Sequence, residues 1–389
     1  MPTASARPVN TYDVIVLGVG GMGSAACYHV ARRGQRVLGI ERFDVPHAMG
    51  SSHGVSRIIR LAYYEDPSYV PLLRRAFELW RELETGFDEQ LLFITGSIDA
   101  SDRDGAVFRE SLRSCQIHDL PYEVLTSAEL TSRFPAFRLP AGHHALFQPD
   151  GGFLTSERCI VAHVVAAQEA GATIHAREQA RSWELTASGV RVETNRGVYE
   201  AERLVVAAGA WNGHLSPTLA PLLSPERQVL AWLQPLQPDH FRPARLPVFN
   251  LSVEEGRYYG LPVYLVPGFK VGRYHHRDEP IDPDHFHRES DAIDEKILRD
   301  FTARYLPSGA GPTMAMRSCI FTNTPDEHFI LDLDPAEPRV ILVSPCSGHG
   351  FKFCPVIGET VADLVERGST DHDIDLFRLD RFSSAPQVA

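Results

Sequence analysis

Lysine is the scarcest charge in this chain. Only three lysines, Lys270, Lys296 and Lys352, occur among 38 basic residues. Where nearly every positive charge is written as arginine, a retained lysine points to a need for a compact, tunable ammonium. Lys296 sits in DAIDEKILRD, a charged stretch that reads as an exposed helix, whereas Lys270 and Lys352 lie in aromatic, glycine-rich surroundings. Long apolar runs are missing too. None approaches the roughly 18 residues of a membrane span, and the first ten residues, MPTASARPVN, lack the apolar core of a targeting peptide. The six cysteines (27, 115, 159, 319, 346 and 354) form no C-x-x-C pair. That excludes a disulfide framework and leads us to expect a reduced, cytoplasmic protein with no metal centre. A net charge of −12 disfavours nucleic acid or an anionic membrane as partner. It leaves room for a small anionic substrate in a local basic pocket.

What the chain does contain begins at residues 12–41, YDVIVLGVGGMGSAACYHVARRGQRVLGIE. An apolar run, Val14 to Leu17, precedes Gly18, Gly20 and Gly23 in G-x-G-x-x-G spacing, with Met22 inside the motif. Ser24 to Arg33 reads as a helix stopped by Gly34, and a second apolar run, Val37 to Ile40, ends at Glu41. Gly18 serves a tight turn, Gly20 lets a pyrophosphate approach the backbone, and Gly23 lets helix pack on strand. Free N–H groups at the helix start attract the phosphates, and Glu41 suits ribose hydroxyls. The motif predicts a dinucleotide site without separating FAD from NAD.

Residues 42–68 form a long Gly/Ser/His-rich connection of a length that is usually functional. Residues 69–85 then predict an amphipathic helix, with Leu72, Leu73, Ala76, Phe77, Trp80 and Leu83 on one face and Gly86 as its stop. Short β runs follow between 90 and 150. A helix with Cys159, Ile160, His163, Val164 and Ala167 on one face comes next, then a hairpin and a buried strand ending in Ala-Ala-Gly-Ala-Trp around Gly209. A strand ending in small residues suits close approach to a dinucleotide. From about 220 to 320 the chain is again β-rich, with one helix near 292–305. Strand, loop, strand, Gly-rich loop and closing helix complete it. The expected architecture is α/β (α+β, two-domain). A Rossmann-like domain is assembled from 10–88, 150–218 and 322–389, and a β-rich substrate domain from 89–149 and 219–321.

Six stretches in order resemble the D-amino-acid-oxidase-like flavoproteins, in the branch of monomeric sarcosine oxidase and N-methyltryptophan oxidase. They are GVGGMGS (18–24), SHGVSRIIRLAY (52–63), VVAAGAWN (205–212), RYYG with Lys270 eleven residues beyond Tyr259, RSCIFTNTPDEHFILD (317–332) and SGHGFKF (347–353). The resemblance, not the periodicity, selects FAD. It implies that Cys319 carries the flavin through a thioether and that Lys270 meets oxygen, where an ammonium stabilises developing negative charge. It implies that Arg60 and Lys352 grip a substrate carboxylate and that Arg57 lies close to the flavin ring. Tyr259 would line the amine pocket. His275, or His276 across an apparent one-residue insertion, matches an active-site histidine. His53, Gly348, His349 and Gly350 match flavin-side loops.

The implied activity is oxidation of a secondary-amine amino acid, such as sarcosine, to an imine that hydrolyses, with O2 reduced to H2O2 by a monomeric enzyme. Phe321 stands where the family often has tyrosine, which removes a hydroxyl from the pocket. A larger or cyclic substrate (N-methyltryptophan, pipecolate) and a flavin dehydrogenase that does not use O2 stay open as alternatives.

Overall fold

The computed structural model describes residues 10–382. Residues 383–389, assigned above to the nucleotide domain, lie outside the described residues. The chain divides into two compact units. One holds the described residues up to Ser52, Arg158–Leu223 and those from Thr322 on. The other holds His53–Glu157 and Ser224–Phe321.

The first unit is built on a mostly parallel sheet. Thr173–His175, Val37–Ile40, Thr11–Leu17 and Val198–Val206 lie side by side and parallel, and Glu337–Ser344 continues the set beside Leu204–Val206. On the edge of Val198–Val206 away from Thr11–Leu17, the first half pairs antiparallel with Gly189–Thr194. That edge thus serves a hairpin at its start and the parallel set at its end. The core runs are apolar almost without alternation, as strands covered on both faces must be. Ile15, Leu17, Leu38, Ile40, Leu204, Val206 and Leu342 form one buried cluster. Helices Gly21–Ala31 and Cys354–Arg367 pack against each other. The first of these starts at Gly21, not Ser24, because the glycines themselves adopt helical geometry.

The second unit holds an eight-stranded sheet in the order Thr313–Asn323, Ser224–Leu233, Phe269–Arg273, Gly256–Leu261, Val248–Val253, Ser97–Asp102, His143–Gln148 and Glu123–Thr126. Its core is aromatic, with Phe137, Phe241, Phe249, Phe269 and Phe301 buried together. A three-stranded sheet joins Arg57–Ile59 and Leu92–Ile94 to either side of Gly152–Leu154. That pairing corrects the domain boundaries. Residues 53–88 and 150–157, expected in the nucleotide domain, belong to the second unit, and 219–223 to the first. The amphipathic helix spans Tyr69–Phe87 and stops at Asp88, in a left-handed conformation at φ +53°, rather than at Gly86. Among the described residues, no helix is long and apolar enough to cross a membrane.

Candidate active site

The residues singled out above fall into two groups, one in each unit. In the first unit the chain leaves Leu17 through Gly18, at φ +89°, and enters helix Gly21–Ala31. A Cβ on Gly23 would stand 1.7 Å from the Gly18 carbonyl oxygen, so only glycine lets the helix close on the strand end. A Cβ on Gly20 would meet nothing within 4 Å, so the backbone there is open to a ligand. No side chain caps this helix, and Met22 lies in its first turn. Its N-terminal amides therefore keep their attraction for an anion.

Glu41 is buried and braces the loop. Its carboxylate accepts from the Val19 and Phe43 N–H groups, both at 2.9 Å, and His47 Nε2 lies 3.5 Å away. Burial works against the charge, but His47 and the two backbone donors outweigh it and hold the carboxyl below its usual range. A cavity of about 450 Å³, lined in part by Arg42, Phe43, His47, Met49 and Arg177, opens next to this stretch of chain. Uncapped helix, open glycine and buried acid together fit the pyrophosphate and ribose of a dinucleotide.

Gly209 takes φ +57° in a short turn. The neighbouring Asn212 accepts from Ala208 N–H at 2.7 Å and donates to the Val343 carbonyl at 2.9 Å, tying two strand ends together. Gly348 has φ +79° in the loop leading to Gly350. His349 is turned inward. It stacks on Phe329 with ring centroids 4.7 Å apart, and its Nε2 lies 3.0 Å from the Glu327 carbonyl oxygen. Its ring therefore holds the loop together. Lys352 is buried and donates to the His349 carbonyl at 2.6 Å.

The second group gathers buried side chains from distant stretches. Lys270 is 1% exposed and donates to the carbonyls of Gly54, at 3.0 Å, and Ser56. Arg57 donates to the same Ser56 carbonyl at 3.0 Å and reaches Cys319 Sγ at 3.7 Å. His53 is buried just before this loop. Burial, then Arg57, press Lys270 well below its ordinary pKa, with Glu157 and Cys319 opposing. Cys319 packs with Leu230 and Trp232, and Tyr259 lies against that cluster. The Tyr259 ring stands 5.2 Å from Tyr274, and Tyr274 stands 5.8 Å from Phe321. A Cβ on Gly272, opposite Tyr259, would stand 2.5 Å from that ring. Burial pushes the Tyr259 phenol up, so it stays protonated.

Two expectations change. His275 leaves the strand at φ +50° and turns its Nδ1 to Glu226, 2.8 Å away; with Asp278 these side chains bring one ligand atom each within 4.8 Å of one another. His276 is buried against Asp294 at 3.1 Å. Between Tyr259 and Phe321 stands the ring of Tyr274. Arg60, expected as a cation open to substrate, is already matched. Its Nη2 donates to both Glu65 oxygens at 2.9 and 2.7 Å, its Nη1 donates to the Ala62 carbonyl, and Asp99 lies 3.8 Å away. A fully buried guanidinium needs such counter-charge.

Sequence reasoning missed Tyr274, Glu65 and Glu157. Tyr274 follows directly on the strand that carries Lys270, which is the signal that could have found it. The other two carry no local motif.

The family model described as FAD dependent oxidoreductase matches residues 13–364. The chain is 40% identical over 376 residues to monomeric sarcosine oxidase of Bacillus sp. (strain NS-129), covering 95% of this chain and 97% of that protein. It is 35% identical to N-methyl-L-tryptophan oxidase of Salmonella enteritidis PT4, covering 96% and 99%. Among solved structures, NikD, an unusual amino acid oxidase essential for nikkomycin biosynthesis, superposes with a TM-score of 0.82 at 28% identity over 95% of this chain and 98% of that one. With its glycine cradle, its buried acid and this near-complete match, the chain belongs to the family of FAD dependent oxidoreductases.

Proposed function

We infer that the protein is an FAD-dependent oxidase of N-methyl amino acids, with sarcosine as the first substrate to test. The observation that carries the reading is Arg57, which touches both the Ser56 carbonyl that anchors Lys270 and the sulfur of Cys319. Relatives named for sarcosine and N-methyl-L-tryptophan oxidation support the substrate class. A bound flavin accepts two electrons from an amine and passes them to O2, giving H2O2.

The chain's own residues divide the remaining tasks. Gly20 and the uncapped helix would hold the pyrophosphate, and Glu41 the ribose. Cys319 would carry the covalent link, with the Arg57 guanidinium beside its sulfur. Lys270 would supply positive charge where oxygen is reduced. Tyr259, Tyr274 and Phe321 would form an apolar wall for the N-alkyl group, excluding water. Lys352 would attract the substrate carboxylate. Arg60 would bind a carboxylate only by exchanging Glu65 for it, because both Glu65 oxygens now occupy its Nη2. Six cysteines with no disulfide among them are consistent with a reducing, cytoplasmic setting, and relatives named as monomeric support a monomer.

The test is H2O2 release over a panel of sarcosine, other N-methyl amino acids including N-methyltryptophan, pipecolate, proline and primary amino acids. Release confined to primary amino acids would overturn the reading. Acid-precipitated protein should stay yellow, and the colour should leave the pellet in Cys319→Ala. A colourless wild-type pellet would remove the covalent link.

A further inference from the structure

The loop before Arg57 makes a turn that few sequences choose. Gly54 has φ +94° and Val55 φ +72°, and Ser56 N–H donates back to the Gly54 carbonyl at 2.8 Å. This is a γ-turn of the rare hand with a β-branched residue at its centre. Such a conformation persists only where its surroundings hold it. Ser156 and Glu157 hold this one. The Val55 carbonyl accepts from Ser156 N–H at 3.1 Å. Glu157 accepts from Gly54 N–H at 2.7 Å and from Val55 N–H at 3.0 Å, and Ser156 Oγ donates to it at 2.7 Å.

One peptide group therefore works from both ends. The unit between Gly54 and Val55 gives its N–H to Glu157 and offers its carbonyl to Lys270 Nζ. Carboxylate, peptide dipole and ammonium form a continuous chain, and hydrogen bonds in such a chain polarise one another. We propose that Glu157 is the positioning residue for Lys270: through the Gly54–Val55 peptide it fixes the direction of the ammonium and keeps it protonated in a buried place. The inference rests on reading Lys270 as the oxygen-side cation.

The titratable and charged groups facing Lys270 come from three elements. Arg57 lies on strand Arg57–Ile59, Glu157 at the start of helix Ser156–Glu169, and Cys319 on strand Thr313–Asn323. Glu157 is the one carboxylate among them. Burial opposes its own charge, but Ser156, the Val55 N–H and Arg57 outweigh that and hold its carboxyl below the usual range. It is therefore an anion at neutral pH.

The scarcity of lysine makes the test direct. Labelling lysine Nζ with 15N in the flavin-loaded enzyme gives three side-chain signals, and Lys270→Met identifies one of them. In Glu157→Gln, which keeps shape but loses charge, Lys270 should bind its proton roughly tenfold more weakly, with Lys296 and Lys352 unmoved. Reoxidation of the reduced enzyme by O2 at neutral pH should fall about tenfold, while anaerobic reduction by substrate changes less than threefold. Glu157→Asp should restore most of both. Ser156→Ala, a gentler change, should move the Lys270 titration the same way by a smaller factor, and it decides the matter if Glu157→Gln does not fold. An unaltered Lys270 titration in these variants overturns the proposal. Normal reoxidation in Lys270→Met would instead overturn the oxygen-side reading, and the titration would still decide whether Glu157 governs Lys270.

Discussion

The glycine cradle of the first unit and the Lys270 cluster of the second are built on opposite plans. The cradle is backbone. Within 24 residues Gly18, Gly20, Gly23 and Glu41 supply a turn, an opening, a close contact and an acid. The Lys270 cluster is buried charge. Gly54, Arg57, Glu157, Lys270 and Cys319 come from stretches up to 265 positions apart, counting from residue 54 to residue 319. A backbone site fails when a single atom is added. A charge site fails when a single partner is removed.

That contrast can be broken or sharpened by four changes. The largest effect is expected from Gly23→Ala. Its Cβ would overlap the Gly18 carbonyl, which cannot yield without opening the strand–helix turn. We expect a loss of at least about 3 kcal/mol, read by denaturant unfolding, together with protein that purifies without flavin. Full flavin content in that variant would remove the cradle argument.

Next comes Asp294→Asn, which tests a second buried charge set in the same unit as Lys270. Asp294 is fully buried, pairs with Arg227 at 2.7 Å and meets His276 at 3.1 Å. Burial opposes its charge, but Arg227 outweighs it and its carboxyl sits far below the ordinary range. A depressed carboxyl contributes stability that is present above its unfolded value, near 3.8, and lost as pH falls through its folded one. The variant should therefore lose about 3 kcal/mol at pH 7, and its deficit should shrink as both proteins are unfolded in increasingly acid buffer. A deficit independent of pH would mean that packing, not charge, is what Asp294 supplies.

Lys270→Met is expected to slow reoxidation by O2 about 10² to 10³-fold while sparing anaerobic reduction. Stopped-flow separates the two rates. Because burial and Arg57 depress the ammonium's pKa, wild-type reoxidation should fall as pH rises through that lowered value, and the Met variant should show no such step. A step that survives in the variant would assign it to another group.

The smallest effect is expected from Phe321→Tyr. The ring stays beside Tyr274 and one hydroxyl is added to the wall. We expect a change of only a few-fold in kcat/KM, equivalent to about 1 kcal/mol or less, and of different size for sarcosine and N-methyltryptophan. Equal shifts for both would show that Phe321 does not touch the N-alkyl or side-chain region.

By itself the sequence determined the parallel core, the glycine loop and Glu41. Apolar runs and glycine spacing act within a few residues, so their consequences are local. It also marked Lys270 through the rarity of lysine, and Cys319 and Arg57 through resemblance. It did not tell which unit would take residues 53–88, because that depends on Arg57–Ile59 pairing with Gly152–Leu154 nearly a hundred positions away. Nor did it show that Arg60 is answered by Glu65 and Asp99, that Tyr274 joins Tyr259, or that Glu157 stands behind Lys270. Each of these depends on which charge is left to balance another once water is gone, or on which rings meet once distant strands have paired. Burial and pairing between distant segments decide such matters, and they exist only after the chain has folded.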